Sequence, residues 1–386
     1  MKRSAVGLFY SLNFMGTGAY FTYIGLYYTA IGMDKLQIGV LTSVGAFIGL
    51  WSQPLWGIIS DRAKYKNYVL MLCTLAASSC IWLMQGAGSQ FWPLVLATAV
   101  FSLFQVAINP LADTITLELA NKGLVKFANI RMMGSIGYAL MSIVGGWIFA
   151  ANIHSIFAIT FAMLAAAFAI SFLLPRVEGH QSGKKKVKLA ELFKNRPLVV
   201  LYGYALALST TSGFFFAFHP IYSAEQGISM ELIGIGMAVG SFSQFPFMMF
   251  FQKLYDRFGV VRIFLFSGYI HAVRWLLYAF FLNKFTILPL WLLHGGTYIL
   301  FYMCLAEYVN TYVIKELKAS GQMMNALILL GLSKIIGGVL GGLYATRFGF
   351  QSSFLLCFII SLAAVGGFAW AASRTSLFRD LRPQEH

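Results

Sequence analysis

Twelve apolar stretches, each close to the length that crosses a bilayer, fill nearly all of this 386-residue chain. They run over residues 5–28, 37–60, 67–86, 91–117, 128–150, 153–174, 198–222, 230–252, 262–282, 286–312, 322–346 and 350–373. A helix needs roughly 20 apolar residues to span the hydrocarbon, so the pattern predicts twelve transmembrane helices joined by short loops. Composition agrees: 59% of residues are hydrophobic, 11% are charged, and the mean hydropathy is +0.74, too apolar for a water-soluble globule. Inside a bilayer only a structure that bonds its own backbone survives. The expected fold class is therefore an all-α polytopic membrane protein.

One long polar gap, residues 175–196, divides the twelve runs into six and six. The expected organisation is an N-terminal six-helix bundle over residues 1–174, a central loop over 175–196, a C-terminal bundle over 197–373 and a tail over 374–386. The net charge of +15 would suggest nucleic acid in a soluble protein, but here the basic residues sit between the spans. On one side, the termini and alternate loops hold 22 Lys and Arg, including Arg62, Lys64, Lys66, Lys184, Lys185, Lys186, Lys188 and Lys194; the opposite loops hold three, Lys35, Lys284 and Arg347. The positive-inside rule then places both termini and the central loop in the cytoplasm. This charge has the lipid bilayer as its partner, and no nucleic acid is expected. Met1-Lys2-Arg3 before an apolar run looks like a signal peptide, but further spans follow at once, so it reads as the first helix. Cys73, Cys80, Cys304 and Cys357 all fall within spans without metal-ligand spacing, and they read as packing residues.

Two short motifs punctuate the spans at matched places. Gly57-Ile58-Ile59-Ser60-Asp61-Arg62 closes the second run, and Asp256-Arg257-Phe258-Gly259 follows the eighth. A carboxylate at a helix end can pair with a basic group or a helix N-terminus and hold one side of a bundle shut until the halves rock. Gly57, Asp61, Arg62, Asp256 and Arg257 are therefore gating candidates. As plain topology anchors they would need only the arginines, since topology needs no aspartate.

Charges inside the spans cost a few kcal/mol each unless they face the protein interior or a partner, and so they mark function by default. On the fourth run Asn109 and Asp113 share a helix face, with Glu118 nearer the cytoplasmic end; on the fifth, Arg131, Ser135 and Tyr138 do the same. Two antiparallel helices with a short connection can bring Asp113 and Arg131 to one depth, and the two are expected to pair. Arg274 and Lys334 add positive charge to the second half, where Glu307 is the nearby carboxylate. Lys334 either pairs with Glu307 or faces the solute. Excess positive charge beside a cavity suits an anionic solute. His294 and Asp113 are candidates for titration near neutral pH, and His219 beside Pro220 reads as a helix-end residue. Among the aromatics, Tyr20, Tyr138, Tyr204, Tyr298 and Phe301 are candidates to line a cavity.

The Gly57 to Lys66 segment resembles the loop signature of the major facilitator superfamily. Met15-Gly16-Thr17-Gly18-Ala19-Tyr20-Phe21, Gln53-Pro54-Leu55-Trp56-Gly57 and Arg131-Met132-Met133-Gly134-Ser135-Ile136-Gly137-Tyr138 are similar to its lactose-permease and phenylpropionate-transporter branch. The resemblance spans nearly the whole chain. It implies two parallel six-helix bundles with the solute near the midplane, a place in the bacterial cytoplasmic membrane, and a monomer. It also implies that Asp113 and Arg131 bind solute hydroxyls, that Tyr138 stacks on the solute, and that Arg274 and His294 serve binding and proton coupling. The chain departs from that branch at Thr297, where the family carries a proton-bearing glutamate, and in the seventh run, which lacks the family's aspartates.

These features together predict a proton-coupled symporter that imports a small organic solute, sugar-like or an aromatic or other carboxylate, by alternating access. Substrate contacts are expected from Tyr20, Asn109, Asp113, Arg131, Tyr138, Arg274 and Lys334, and proton coupling from Asp113, His294 and Arg274. Proton-driven efflux of drugs or metabolites, or nucleoside transport, is the alternative. An embedded enzyme would need a convergent catalytic set, which the spans do not offer, and no phosphate-binding loop points to ATP. No cofactor and no metal are expected.

Overall fold

The computed structural model describes residues 2–179, 189–314 and 317–374. Eight helical runs are long and apolar enough to cross a membrane by length and composition. Two of them, Met230–Phe281 and Ser320–Ser373, reach 52 and 54 residues, about twice what a bilayer accommodates. Each is broken at one glycine. Gly259 (φ 69°, ψ 167°) and Gly349 (φ 78°, ψ 171°) adopt backbone angles that side chains with a Cβ avoid.

The helices are α1 (Lys2–Ala30), α2 (Lys35–Arg62), α3 (Lys66–Gly86), α4 (Phe91–Asn121), α5 (Phe127–Ala151), α6 (Ser155–Ser171) and α7 (Arg196–Glu225). The first broken run gives α8 (residues 230–258) and α9 (260–281). Then come α10 (Ile287–Tyr312), α11 (318–348) and α12 (350–374). That is twelve helical spans among the described residues, as the apolar runs predict. One boundary moves: a loop was expected at 253–261, but α8 continues to the Gly259 break, so Asp256 and Arg257 sit on its last turn.

The helix ends reveal a repeat. In α1, Gly32 and Met33 donate backbone bonds to Thr29 and Tyr28; in α4, Gly123 and Leu124 donate to Ala120 and Leu119; in α7, Gly227 and Ile228 donate to Ala224 and Ser223. The same glycine-closed terminus occurs at α1, α4 and α7, three helices apart, a spacing that fits nested three-helix repeats; α10 ends instead at Val313 without a glycine. The turn after α1 then starts α2 with a capping box, Asp34 and Gln37 each bonding the other's backbone N–H.

The chain forms two compact units, Met1–Lys184 with Ser223–Ala238, and Lys185–Tyr222 with Val239–His386. In the first, α1 packs on α5 and α6, α2 on α4, and α3 on α4 and α6. Glycine permits the α1–α5 contact: a Cβ at Gly137 would strike the Ser11 carbonyl, and one at Gly134 would fall 2.8 Å from the Phe14 ring. The segment Ser223–Ala238 joins this unit and not the one that the 175–196 division assigns it to. Gly146 of α5 abuts the Glu231 backbone, Gly234 abuts the Ser142 carbonyl, and Lys35 pairs with Glu225 at 3.3 Å. The second unit packs around Tyr204, Phe264, Phe301 and Phe368, with Tyr204 and Phe368 stacked at 4.6 Å. The lysine cluster 184–186, Lys188 and the tail beyond residue 374 lie outside the described residues.

Candidate functional site

In the first unit the polar residues of α1, α4 and α5 converge. Asp113 Oδ1 accepts a 2.7 Å hydrogen bond from the Tyr10 hydroxyl and lies 3.9 Å from Arg131 Nη1. The pair predicted from sequence thus exists, but it is loose and open: the Arg131 side chain is 44% exposed and that of Asp113 31%. One turn along α4, Asn109 Oδ1 accepts from Asn13 Nδ2 at 2.7 Å. The Arg131 guanidinium lies 4.8 Å over the Phe14 ring, which leaves edges of the guanidinium for other acceptors. Tyr138 is half-buried, its hydroxyl 3.3 Å from Thr22. This is a face of alternating donors and acceptors with one ionisable carboxyl, a chemistry suited to hydroxyl groups and to a transferable proton.

The second unit is built differently. Arg274 on α9 is 1% exposed, and its Nη1 donates to His294 Nδ1 at 3.3 Å and to Thr297 Oγ1 at 3.2 Å. Its guanidinium lies 4.3 Å from the Phe215 ring centroid and 5.1–5.5 Å from Trp275, Trp291 and Tyr278. Because a guanidinium only donates, His294 Nδ1 must accept, which fixes the Nε2–H tautomer. Two further histidines are fixed in the same way. His271 Nδ1 donates to the Ser267 carbonyl at 2.9 Å, and His219 Nε2 accepts from Trp291 Nε1 at 3.1 Å. His219, expected as a helix-end residue, is wholly buried in this cluster. A π-helical turn, Gly295–Ile299, places His294 and Thr297, and a second, Leu327–Leu332, precedes Lys334. Such turns recur at functional sites.

The gating candidates separate. Asp61 ends α2 and meets Lys66 at 3.4 Å, while Lys66 also bonds Glu118 of α4 at 2.5 Å; the Lys66 side chain is only 4% exposed. A strap fixes that lysine. After α6 the chain runs back over the α2–α3 turn, with Asn67 donating to the Pro175 carbonyl and accepting from Val177 N–H, and Lys66 N–H bonding the Val177 carbonyl. Tyr65 and Glu178 pair as a single β-bridge, and Gly179 sits where a Cβ would strike the Ala63 carbonyl. Among the described residues the second copy shows no such strap: Asp256 accepts from Gln252 one turn back, and Asp256 and Arg257 are exposed. Gly57 is open, with nothing near a built Cβ, and Arg62 is exposed.

Of two further expected contacts, one is buried in packing and the other is exposed. Tyr20 is buried, its ring 4.9 Å from Phe101 and its hydroxyl against the Met84 sulfur, so it packs α1 to α3 and α4. Lys334 is exposed on α11, where Gly213 brings α7 against its backbone; Glu307 accepts from Thr311 at 3.1 Å. Tyr10, Asn13 and Phe14 belong to the site but were not expected from sequence. Their spacing of three and four was the available signal.

The model of the MFS_1 like family matches residues 5–356. The "Uncharacterized transporter YwbF" of Bacillus subtilis is 26% identical over 372 residues, 93% of this chain and 90% of that one. A "Maltose permease" of Geobacillus stearothermophilus is 29% identical over 292 residues, 72% of this chain and 71% of that one. Among solved structures, that of "nucleoside transporter NupG" superposes with a TM-score of 0.86 at 18% identity, covering 97% of this chain and 99% of the other; at that identity the likeness concerns the fold.

Proposed function

The chain belongs to the MFS_1 like family and is a multi-pass membrane transporter, not an enzyme; from that premise we propose that it is a proton-coupled symporter importing a small organic solute by alternating access. The observation that carries this reading is the Asp113 carboxyl, half-open, held by Tyr10 and facing Arg131. A carboxyl in that setting can carry a proton and bond solute hydroxyls in the same cycle. Asn109, Asp113, Arg131 and Tyr138 are the proposed solute contacts in the first unit, extended by Tyr10 and Asn13. Sugar and nucleoside names among the relatives favour a hydroxylated ring for the part of the solute that meets this face.

Coupling is assigned to Asp113 before His294. A proton on His294 Nδ1 would break its bond from Arg274 and set two cations 3.3 Å apart. Arg274 and Lys334 are proposed as solute contacts of the second unit. Asp61, Arg62 and Gly57, with Asp256 and Arg257, are the proposed gate; Lys66 and the strap that holds it support the first copy.

Proteoliposomes given an inward proton gradient and a panel of sugars, nucleosides and aromatic acids test the reading. Accumulation of one class, abolished by a protonophore, is expected. Gradient-driven extrusion would favour the efflux alternative, and equilibration indifferent to the gradient would rule out symport.

A further inference from the structure

Pro110 stands in the middle of α4, directly after Asn109 and one turn before Asp113. A proline has no N–H to give the carbonyl four residues back, here that of Val106, and its ring presses on that carbonyl. Inside a bilayer no water makes up the loss, so another group must donate. α2 brings one: Gln53 Nε2 donates to the Val106 carbonyl at 3.4 Å. Its neighbours grip the turn before, where Ser52 Oγ and Trp56 Nε1 both donate to the Leu103 carbonyl, Trp56 at 2.9 Å. Beyond the proline the Thr114 hydroxyl bonds the Pro110 carbonyl at 2.9 Å, a back-bond that itself bends helices. Further on, Glu118 is tied through Lys66 to Asp61 at the end of α2. α4 is therefore held to α2 on both sides of its proline, and Asn109 and Asp113 lie between the two holds.

An exposed amide within a span is costly and calls for a function, and the Val106 carbonyl supplies one for Gln53. Across from the proline, α1 bonds both site residues of α4 at 2.7 Å, Asn13 to Asn109 and Tyr10 to Asp113. Bonds that short fail with small shifts of α4. We propose that Gln53 is a positioning residue: by giving the Val106 carbonyl the donor that Pro110 withholds, it sets the course of α4 and so holds Asn109 and Asp113 against Asn13 and Tyr10. That this placement serves proton-linked uptake rests on the transport reading; the placement itself rests on these bonds alone.

The full-length protein in lipid nanodiscs provides the test, read without any solute by dicyclohexylcarbodiimide, an apolar reagent that adds to membrane carboxyls as a stable acylurea. Labelling at Asp113 is timed by mass spectrometry. Tyr10 occupies Asp113 Oδ1, so loosening that bond frees an oxygen for the reagent. Gln53→Met, of similar length but without a donor, should speed labelling about fivefold, one hydrogen bond's worth. Gln53→His, whose Nε2–H can stand where the amide nitrogen does, should stay within about twofold of the wild type. Pro110→Ala restores an N–H for Val106, and in that background Gln53→Met should change the rate less than about 1.5-fold. Equal effects of Gln53→Met with and without the proline would overturn the proposal, as expected of a residue that meets the reagent directly. A lower melting temperature in Gln53→Met with unchanged labelling would also overturn it, by making Gln53 a packing residue. Should Pro110→Ala not fold, Gln53→Met and Gln53→His decide, and equal rates in the two count against the proposal. Labelling that follows Gln53 and Pro110 as expected, while Asp113→Asn still accumulates solute, keeps the placement and removes the transport reading. Accumulation lost in Asp113→Asn, with labelling indifferent to Gln53, does the reverse.

Discussion

Arg131 and Arg274 each stand inside a span on an aromatic ring, yet their surroundings are opposite. Arg131 is nearly half exposed and faces a carboxylate of its own unit; Arg274 is buried among rings and, among the described residues, bonds neutral acceptors. One unit thus carries a counter-ion beside its arginine, while the other holds its arginine on aromatic rings and neutral groups. The first arrangement can exchange a proton or a hydroxyl group with a solute while staying close to neutral. The second holds its cation away from water, and as a proposed solute contact it would favour solutes with an acceptor group.

Giving the second unit its own acid should erase the contrast, and this is the largest effect expected. Thr297 Oγ1 lies 3.2 Å from Arg274 Nη1, so Thr297→Glu supplies a counter-ion there; affinity for the solute that Arg274 is proposed to contact should fall about 100-fold, about 2.7 kcal/mol, while Thr297→Gln, of similar bulk, should lose far less. Fluorescence titration of both variants checks this. Next, exchanging each arginine for lysine should separate the two units. Arg131 makes one long contact at a half-exposed site, so Arg131→Lys should cost solute affinity less than about 1 kcal/mol. Arg274→Lys should cost about 1.5–3 kcal/mol in solute affinity, since it loses the bonds to His294 and Thr297 that the guanidinium's geometry makes. A smaller effect is expected at Tyr10: Tyr10→Phe removes the 2.7 Å bond to Asp113 and should weaken solute binding about fivefold, or about 1 kcal/mol, in an equilibrium binding assay.

The two signature loops repeat the same lesson in miniature. Lys66 is buried between Asp61 and Glu118 under a strap, while Asp256 is exposed and, among the described residues, bonded within its own helix. Lys66→Met should lower thermal stability by about 2–3 kcal/mol, discounted from the cost of breaking a fully buried pair because Asp61 is 40% exposed. Asp256→Asn should shift it by less than about 0.5 kcal/mol. Equal shifts in thermal melts would remove the distinction.

Much of the fold is legible in the sequence because membrane spans announce themselves by length and apolarity alone, without knowledge of partners. The Asp113–Arg131 pair was legible for a related reason: charges within spans are few, so each must find a partner. The cage around Arg274 was not legible. Nearly every helix carries aromatics, and only packing selects Phe215, Trp291 and Tyr278 from among them. The strap was hidden too, since Asn67 and Val177 are 110 residues apart and their bonds leave no periodic trace. Tyr20 shows the converse error, an aromatic near conspicuous glycines that turns to the bundle's interior. The last turn of α8 was missed because charged residues there read as a loop, while the backbone needs only Gly259 to turn.

Asp113 is the group proposed to link proton and solute movement. Asp113→Asn tests it directly, assayed in proteoliposomes both for accumulation under an inward proton gradient and for exchange of labelled against unlabelled solute. Accumulation is expected to be lost while exchange persists with weakened affinity. Undiminished proton-driven accumulation by Asp113→Asn would contradict it and move the coupling to another residue.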